Sequence, residues 1–336
     1  MGNKLRFGIM STAKIARNSM IPGILKSERC EAAAIASRDK KKAAEVAEQF
    51  DIPTAYGSYE ELLDDPDIDA IYIPLPNHLH KPWSIKAMKA GKHVLCEKPA
   101  ALCEVDVRQM VAAAREHKVI FAEAFMYRYH PKHARVRELI DRGEIGEIRG
   151  IHGSFTFNNV ADKNNVRYSR EMGGGSIYDV GCYPISAARM IYGMEPKAIT
   201  VHASFSEDHD GVDMMAHGLL EFDHGLGLTF ECGMWTYSRC CLEISGTEGR
   251  IELPSAFGWE RMEDQVQILI HTAKGTREEK LGAHNHFALQ ADAVAAAVLD
   301  GAPLPFSPED AIYNMRVIDA CRESARTSTR IVIRQP

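Results

Sequence analysis

No unbroken apolar stretch of about 18 residues runs through this chain, so no membrane-spanning helix is expected. Basic residues are not in excess. Against 40 Lys and Arg stand 46 Asp and Glu, and a net charge of −6 excludes a whole-chain cationic face for nucleic acid. C-x-x-C pairs are missing too: the eight cysteines, at 30, 96, 103, 182, 232, 240, 241 and 321, are scattered, several of them inside apolar strand or helix patterns. That usage fits reduced thiols in a cytoplasmic protein rather than a disulfide framework. Cys240 and Cys241 are adjacent, and on a strand they point to opposite faces, so no metal site is expected. Internal repeats and low-complexity tracts are absent. Met1-Gly2-Asn3-Lys4 leads almost at once into a strand with no secretory h-region, and Arg6 breaks the myristoylation pattern that Gly2 invites.

What is there is a chain of 336 residues, long enough for two domains with their own cores. The first 120 residues alternate strands (5–10, 31–36, 69–73, 92–96, 119–122) with helices (14–25, 40–50, 80–90, 104–117). Strands separated by helices of ten to fifteen residues predict an α/β doubly wound parallel sheet, assigned to a dinucleotide-binding domain over 1–122. Past 123 the pattern changes. A helix over 132–142 precedes a strand over 148–158, and an apolar helix ends near 191. Strand then follows strand from 198 to 271 with short turns such as Asp223-His224-Gly225. This predicts a C-terminal α+β domain over 123–336, for substrate binding and oligomerisation, built on a large, mostly antiparallel open sheet. Helices over 286–299 and 308–326 close the chain, and the last may return to the first domain.

Three segments carry the chemistry. Residues 8–16 read Gly-Ile-Met-Ser-Thr-Ala-Lys-Ile-Ala, and Ser11, Ala13 and Ala16 occupy the three small-residue positions of a dinucleotide fingerprint. Small side chains let the backbone approach a pyrophosphate, and the following helix start favours anions. Ser11, Thr12, Ala13 and Ile15 are therefore cofactor candidates; the same turn also reads as a tight strand–helix connection with no ligand. At the end of the second strand, Ser37 and Arg38 suit a 2′-phosphate, which favours NADP with NAD as the alternative. Arg38 equally reads as a solvated residue before a helix capped by Asp39. The loop Pro74-Leu75-Pro76-Asn77-His78-Leu79-His80 lies at the carboxyl edge of the sheet, where ligands bind in such folds, so Pro74, Leu75, Asn77 and His80 join the set. Asn77 or His78 alternatively caps the next helix.

The second segment is Cys96-Glu97-Lys98-Pro99. The third runs from Gly173-Gly174-Gly175 through Asp179 to Tyr183. Asp179 and Tyr183 stand four apart, on one helix face. A free tyrosine is a poor base at neutral pH, and a neighbouring ammonium favours its phenolate. The alternative is a core Tyr183 before Pro184 and a capping Asp179.

Ser11–Ala16, Glu97-Lys98-Pro99, Glu123-Ala124-Phe125-Met126-Tyr127-Arg128-Tyr129-His130-Pro131 and Gly173–Tyr183 together resemble the glucose–fructose oxidoreductase / inositol dehydrogenase / MocA-like family. The resemblance is most specific to its dihydrodiol dehydrogenase and sugar (xylose/glucose) dehydrogenase branch. It implies a Rossmann domain, with Glu97 and Lys98 near the cofactor, Lys98 as the site lysine and Tyr183 as proton donor and acceptor. Asp179 would position the substrate or orient the lysine. The inositol-type branch has His at the position of Tyr183. Arg128 is implied as a cofactor contact or an interdomain salt bridge, and Tyr127, Phe157, Arg167 and Tyr168 as weaker substrate contacts. Trp83, Tyr129 and His130 are further pocket candidates. The implied function is hydride transfer between NADP and a small sugar or polyol, an aldose first. A trans-dihydrodiol or inositol-type dehydrogenase, or a non-catalytic dinucleotide-binding regulator, are the alternatives. A homodimer or homotetramer through the C-terminal sheet is the expected assembly, with no nucleic-acid or membrane partner.

Overall fold

The computed structural model describes residues 4–258 and 266–334; Met1–Asn3, read above for a leader, lie outside them. The chain divides into two compact units. One comprises Met1–Tyr129 with Asn285–Ile312, and the other His130–His284 with Tyr313–Pro336.

The first unit is built on six strands: β1 (Leu5–Met10), β2 (Cys30–Ala36), β3 (Thr54–Tyr56), β4 (Ala70–Ile73), β5 (His93–Glu97) and β6 (Phe121–Ala124). All pair in parallel in the order β3-β2-β1-β4-β5-β6. The order reverses between β1 and β4, the switch point at which such sheets bind ligands beyond their carboxyl ends. Apolar strands follow from burial on both faces: all four residues of β4 are buried. The helix expected over 14–25 is a π-helical turn, Ala16–Met20, continued by α1 (Ile21–Lys26). The other connecting helices are α2 (Lys40–Gln49), α3 (Tyr59–Asp64), α4 (Asn77–Lys89) and α5 (Glu104–Glu116).

Two elements of this unit escaped the sequence reading, β3 and α3. Both are short, but α3 has a start signal in Ser58, whose hydroxyl accepts from Glu61 N at 3.1 Å. The helix His286–Leu299 also belongs to this unit. It packs against α1 so closely that a Cβ on Gly23 would stand 2.7 Å from Phe287 Cβ. Ser27 donates to Asp292, and Arg29 pairs with Asp300 at 2.6 Å.

The second unit opens with α6 (Pro131–Asp141) and carries nine strands in the order β14-β13-β12-β11-β7-β10-β9-β8-β15. They are β7 (Ile148–Asn158), β8 (Ala198–Ser206), β9 (Val212–Glu221), β10 (Gly227–Gly233), β11 (Trp235–Gly246), β12 (Gly249–Leu253), β13 (Val266–Thr272), β14 (Gly275–Leu281) and β15 (Ile331–Val332). Every described pairing is antiparallel except β7 with β10. One face is covered by a π-helical turn, Ile177–Gly181, running into α7 (Cys182–Tyr192). There a Cβ on Gly153 of β7 would meet Pro184 at 2.6 Å. β14 was not foreseen because its sequence, Gly-Thr-Arg-Glu-Glu-Lys-Leu, has the charged, exposed character of an edge strand. The last helix, Pro308–Thr327, begins in the first unit and ends in the second. Among the described residues no helix is long and apolar enough to cross a membrane.

Candidate active site

In the first unit the cofactor turn keeps the backbone of a glycine fingerprint without its glycine. Ser11 sits at φ +128°, a conformation that costs a side-chain-bearing residue about 1–3 kcal/mol and persists only where its surroundings fix it. The turn is closed by Ser11 N donating to Ile9 O at 3.2 Å and by Ala13 N donating to Ser11 Oγ at 3.1 Å. The π-helical turn follows directly, a rare element enriched at functional sites. Within it Arg17 Nε is buried with no partner among the described residues. Arg38 is exposed and has no carboxylate partner among the described residues, whereas Asp39 caps α2 by accepting from Lys41 N at 3.0 Å. The Tyr59 phenol lies within hydrogen-bonding reach of Ser11 and Arg38. Burial raises its pKa, and the Arg38 charge opposes the rise. Tyr59 stands edge-on to Trp83, with centroids 5.0 Å apart. An orphaned guanidinium nitrogen, an Arg38 with no carboxylate partner among the described residues and a bare turn beside a helix start fit a dinucleotide with an added phosphate.

Lys98 follows β5, and the loop that carries it is fastened from three elements. Tyr72 Oη of β4 donates to Glu97 Oε1 at 2.5 Å, and Ala100 N donates to Glu123 Oε1 of β6 at 2.8 Å. From α4, the His80 ring meets Pro99 O through Nδ1 at 2.9 Å and Leu75 O through Nε2 at 2.7 Å. His80 is fully buried, and burial pushes its pKa down to about 4; the two carbonyls pull it back up and the Lys98 charge lowers it further. The ring lies between the Pro74–Asn77 loop and the lysine loop, and in its neutral form only one of its nitrogens donates to the carbonyl it faces. Against the expectation of a direct cofactor contact, it has no exposed surface and both ring nitrogens face main-chain carbonyls. The capping alternative for Asn77 is corrected as well, because Pro76 precedes the first turn of α4 and Asn77 lies inside it.

In the second unit the glycine run is required by close approach. A Cβ on Gly174 would stand 2.4 Å from Arg167 O, and one on Gly175, at φ +118°, 2.2 Å from Asp213 Oδ1. Gly175 N donates to Arg167 O at 3.0 Å, which holds the loop over the start of the next element. Buried Asp213 of β9 anchors that start, with Oδ2 accepting from Ile177 N at 2.7 Å and Ser176 Oγ at 2.8 Å. Burial raises its pKa, and these donors moderate the rise. Asp179 therefore sits on the π-helical turn, and Tyr183 one turn on, in α7.

Arg167 Nε donates to Asp179 Oδ2 at 2.6 Å, and the pairing raises the Arg167 pKa, to which Tyr183 contributes as well. Arg167, Asp179 and Tyr183 are thus gathered in one unit. The Tyr183 ring packs between Phe155 and Phe257, at 5.1 and 5.6 Å.

Of four expected contacts, Tyr127, Arg128 and Tyr168 are buried and Phe157 is partly buried. Tyr127 is fully buried against Phe125, with ring centroids 5.9 Å apart. Arg128 is buried, ion-paired with Asp310 at 2.5 Å and set 4.6 Å from the Phe125 ring and 4.9 Å from the Phe306 ring; the pair lies inside the first unit. Tyr168 packs with Val212, Met214 and Met234, and Phe157 lies against the same cluster. Sequence reasoning missed Tyr59, Arg17, Tyr72 and Asp213. Only Tyr59 had a legible signal, in the Ser58 helix start.

Residues 5–125 match the oxidoreductase family with an NAD-binding Rossmann fold, and residues 133–252 match the GFO/IDH/MocA C-terminal domain. A D-xylose 1-dehydrogenase (NADP(+)) of Haloferax volcanii is 37% identical, covering 97% of this chain and 99% of its own. A trans-1,2-dihydrobenzene-1,2-diol dehydrogenase of Xenopus laevis is 34% identical over 76% of each chain. Among solved structures, the 3-ketoreductase KijD10 of Actinomadura kijaniata, in complex with NADP and TDP-benzene, superposes with a TM-score of 0.91 at 32% identity, over 96% of this chain and 98% of that one. With both halves matched and relatives this similar over nearly their full length, the chain belongs to the GFO/IDH/MocA family of oxidoreductases.

Proposed function

We propose that this protein is an NADP-dependent dehydrogenase or reductase acting on a small sugar, an aldose oxidised at its anomeric carbon being the leading substrate. The observation that carries the reading is the grouping of Arg167, Asp179 and Tyr183, a cation and a carboxylate beside a phenol. When bound, the nicotinamide supplies the hydride acceptor. Tyr183 Oη takes the substrate hydroxyl proton, and Lys98 is retained as the site lysine that the family resemblance implies. Asp179, oriented by Arg167, accepts from a neighbouring substrate hydroxyl. Support comes from the similar NADP-dependent xylose dehydrogenase. KijD10 has been solved with a tyrosine changed to phenylalanine and with a lysine changed to alanine. The spacing between those two positions differs by one residue from that between Lys98 and Tyr183.

A screen of aldoses, cyclitols and dihydrodiols with both cofactors, followed by nicotinamide absorbance, identifies the substrate. With it, Tyr183→Phe should keep NADPH binding and lose at least about tenfold in kcat, at the low edge of general acid–base effects. An unchanged kcat would remove Tyr183 from the proton role. Assembly through the open sheet is part of the proposal, supported by exposed Leu219, Trp235 and Tyr237 on its strands. A monomer in sedimentation at micromolar concentration would exclude it.

A further inference from the structure

The second unit contains a cavity of about 510 Å³ that none of Arg167, Tyr168, Asp179 or Tyr183 lines. Three arginines meet there: Arg170 from the loop before the glycine run, and Arg322 and Arg326 from the last helix. Arg322 and Arg326 are four residues apart, so they share a helix face and repel. Arg322 donates to Tyr178 Oη and lies 4.1 Å from the centre of that ring. The guanidinium groups of Arg170 and Arg326 have no protein partner among the described residues, and none of the three is paired with a carboxylate.

Carboxylates do line the cavity, but two of the three are engaged elsewhere. Asp213 is held by Ser176 and Ile177 N, and Asp210 Oδ2 accepts from Arg170 N at 2.7 Å, a backbone contact. Glu207 is exposed. Arg326 is held below its usual pKa, by burial first and then by Arg322 and Arg170. Tyr178 and Asp213 oppose that shift, but no carboxylate pairs with Arg326 among the described residues. Most other arginines of the chain are ion-paired. Arg17 and Arg38 at the cofactor turn likewise have no carboxylate partner among the described residues, and there this fits an anion.

We propose that the Arg170–Arg322–Arg326 cavity is a second anion site, taking the phosphate of a small phosphorylated ligand. Three planar forks present more donors than the two oxygens of a carboxylate accept, and a phosphate matches them in charge and geometry. The volume lies in the range of small-molecule sites and exceeds that of a bare ion, which leaves room for an organic group behind the phosphate.

Calorimetric titration of inorganic pyrophosphate at fixed ionic strength tests this. Arg326→Glu and Arg170→Glu change exposed side chains, which spares folding, and each should weaken binding by at least about tenfold, while Arg38→Ala leaves it unchanged. Binding unaffected by both charge reversals overturns the proposal. So does binding lost only in Arg38→Ala, which places the anion at the dinucleotide turn. The result does not depend on turnover, so it stands or falls separately from the substrate reading. A sugar phosphate and its parent sugar then separate the sources. If Arg326→Glu raises KM for the phosphate ester alone, the phosphate belongs to the substrate. If pyrophosphate instead changes turnover of the parent sugar in the native protein and not in Arg326→Glu, it is a separate effector.

Discussion

Replacing Arg128 by methionine removes a charge while keeping much of the bulk, and it separates a core role from a cofactor role. The Arg128 side chain is 4% exposed and that of Asp310 27%. Burial alone works against the guanidinium charge; Asp310, with smaller help from Tyr127 and Glu123, holds the pKa above its ordinary value. Removing one partner of a buried pair is destabilising by about 3–5 kcal/mol, because the survivor is stranded. Asp310 keeps some access to water and methionine retains part of the contact with the Phe125 and Phe306 rings, so the lower end, about 3 kcal/mol, applies. At about 2–4 °C per kcal/mol for a unit of this size, the first unit should melt about 6–12 °C lower. Scanning calorimetry reads that shift, and NADPH fluorescence at 25 °C reads affinity, expected within about threefold of the native value. A melting point within about 1 °C of the native one, with NADPH binding weakened tenfold or more, would refute the core assignment and return Arg128 to the cofactor.

Arg38→Ala should weaken NADPH binding by at least about tenfold and NADH binding far less, since only the former has the extra phosphate; equal losses in parallel fluorescence titrations would undo that assignment. His80 has a folded pKa of about 4 against an ordinary 6.5, so the unfolded chain takes up its proton first on acidification. The stability it contributes is complete above pH 6.5 and falls as pH drops towards 4, by at most about 3 kcal/mol. Urea midpoints at pH 7 and pH 5 should differ in the native protein and less so in His80→Gln; identical differences would exclude His80 as the source.

The doubly wound half was legible because its buried strands are short apolar runs separated by helices of clear period, as in Ala70–Ile73 followed by Asn77–Lys89. Boundaries were less so. Val119 lies before β6, and Glu123, placed by sequence beyond that strand, lies in it and holds Ala100 N. For the candidate site, residue type pointed to Lys98, Asp179 and Tyr183, but not to what holds them. The partnership of Arg167 with Asp179 depends on a glycine run folding over a carbonyl, a tertiary event with no local pattern. The burial of Arg128 and Tyr127 was not legible because a polar or aromatic side chain in a motif looks the same in sequence whether it meets a ligand or a neighbouring ring.

The return of residues 285–312 to the first unit has a consequence for how the protein is made. When β6 emerges from the ribosome the nucleotide-binding sheet is complete, yet α1 still lacks Phe287, Ser27 lacks Asp292, Arg29 lacks Asp300 and Arg128 lacks Asp310. More than 150 further residues must be synthesised before those partners exist. The amino-terminal half is therefore born with an open flank, and a gene cut after residue 129 should yield a poorly soluble fragment rather than a free-standing dinucleotide binder.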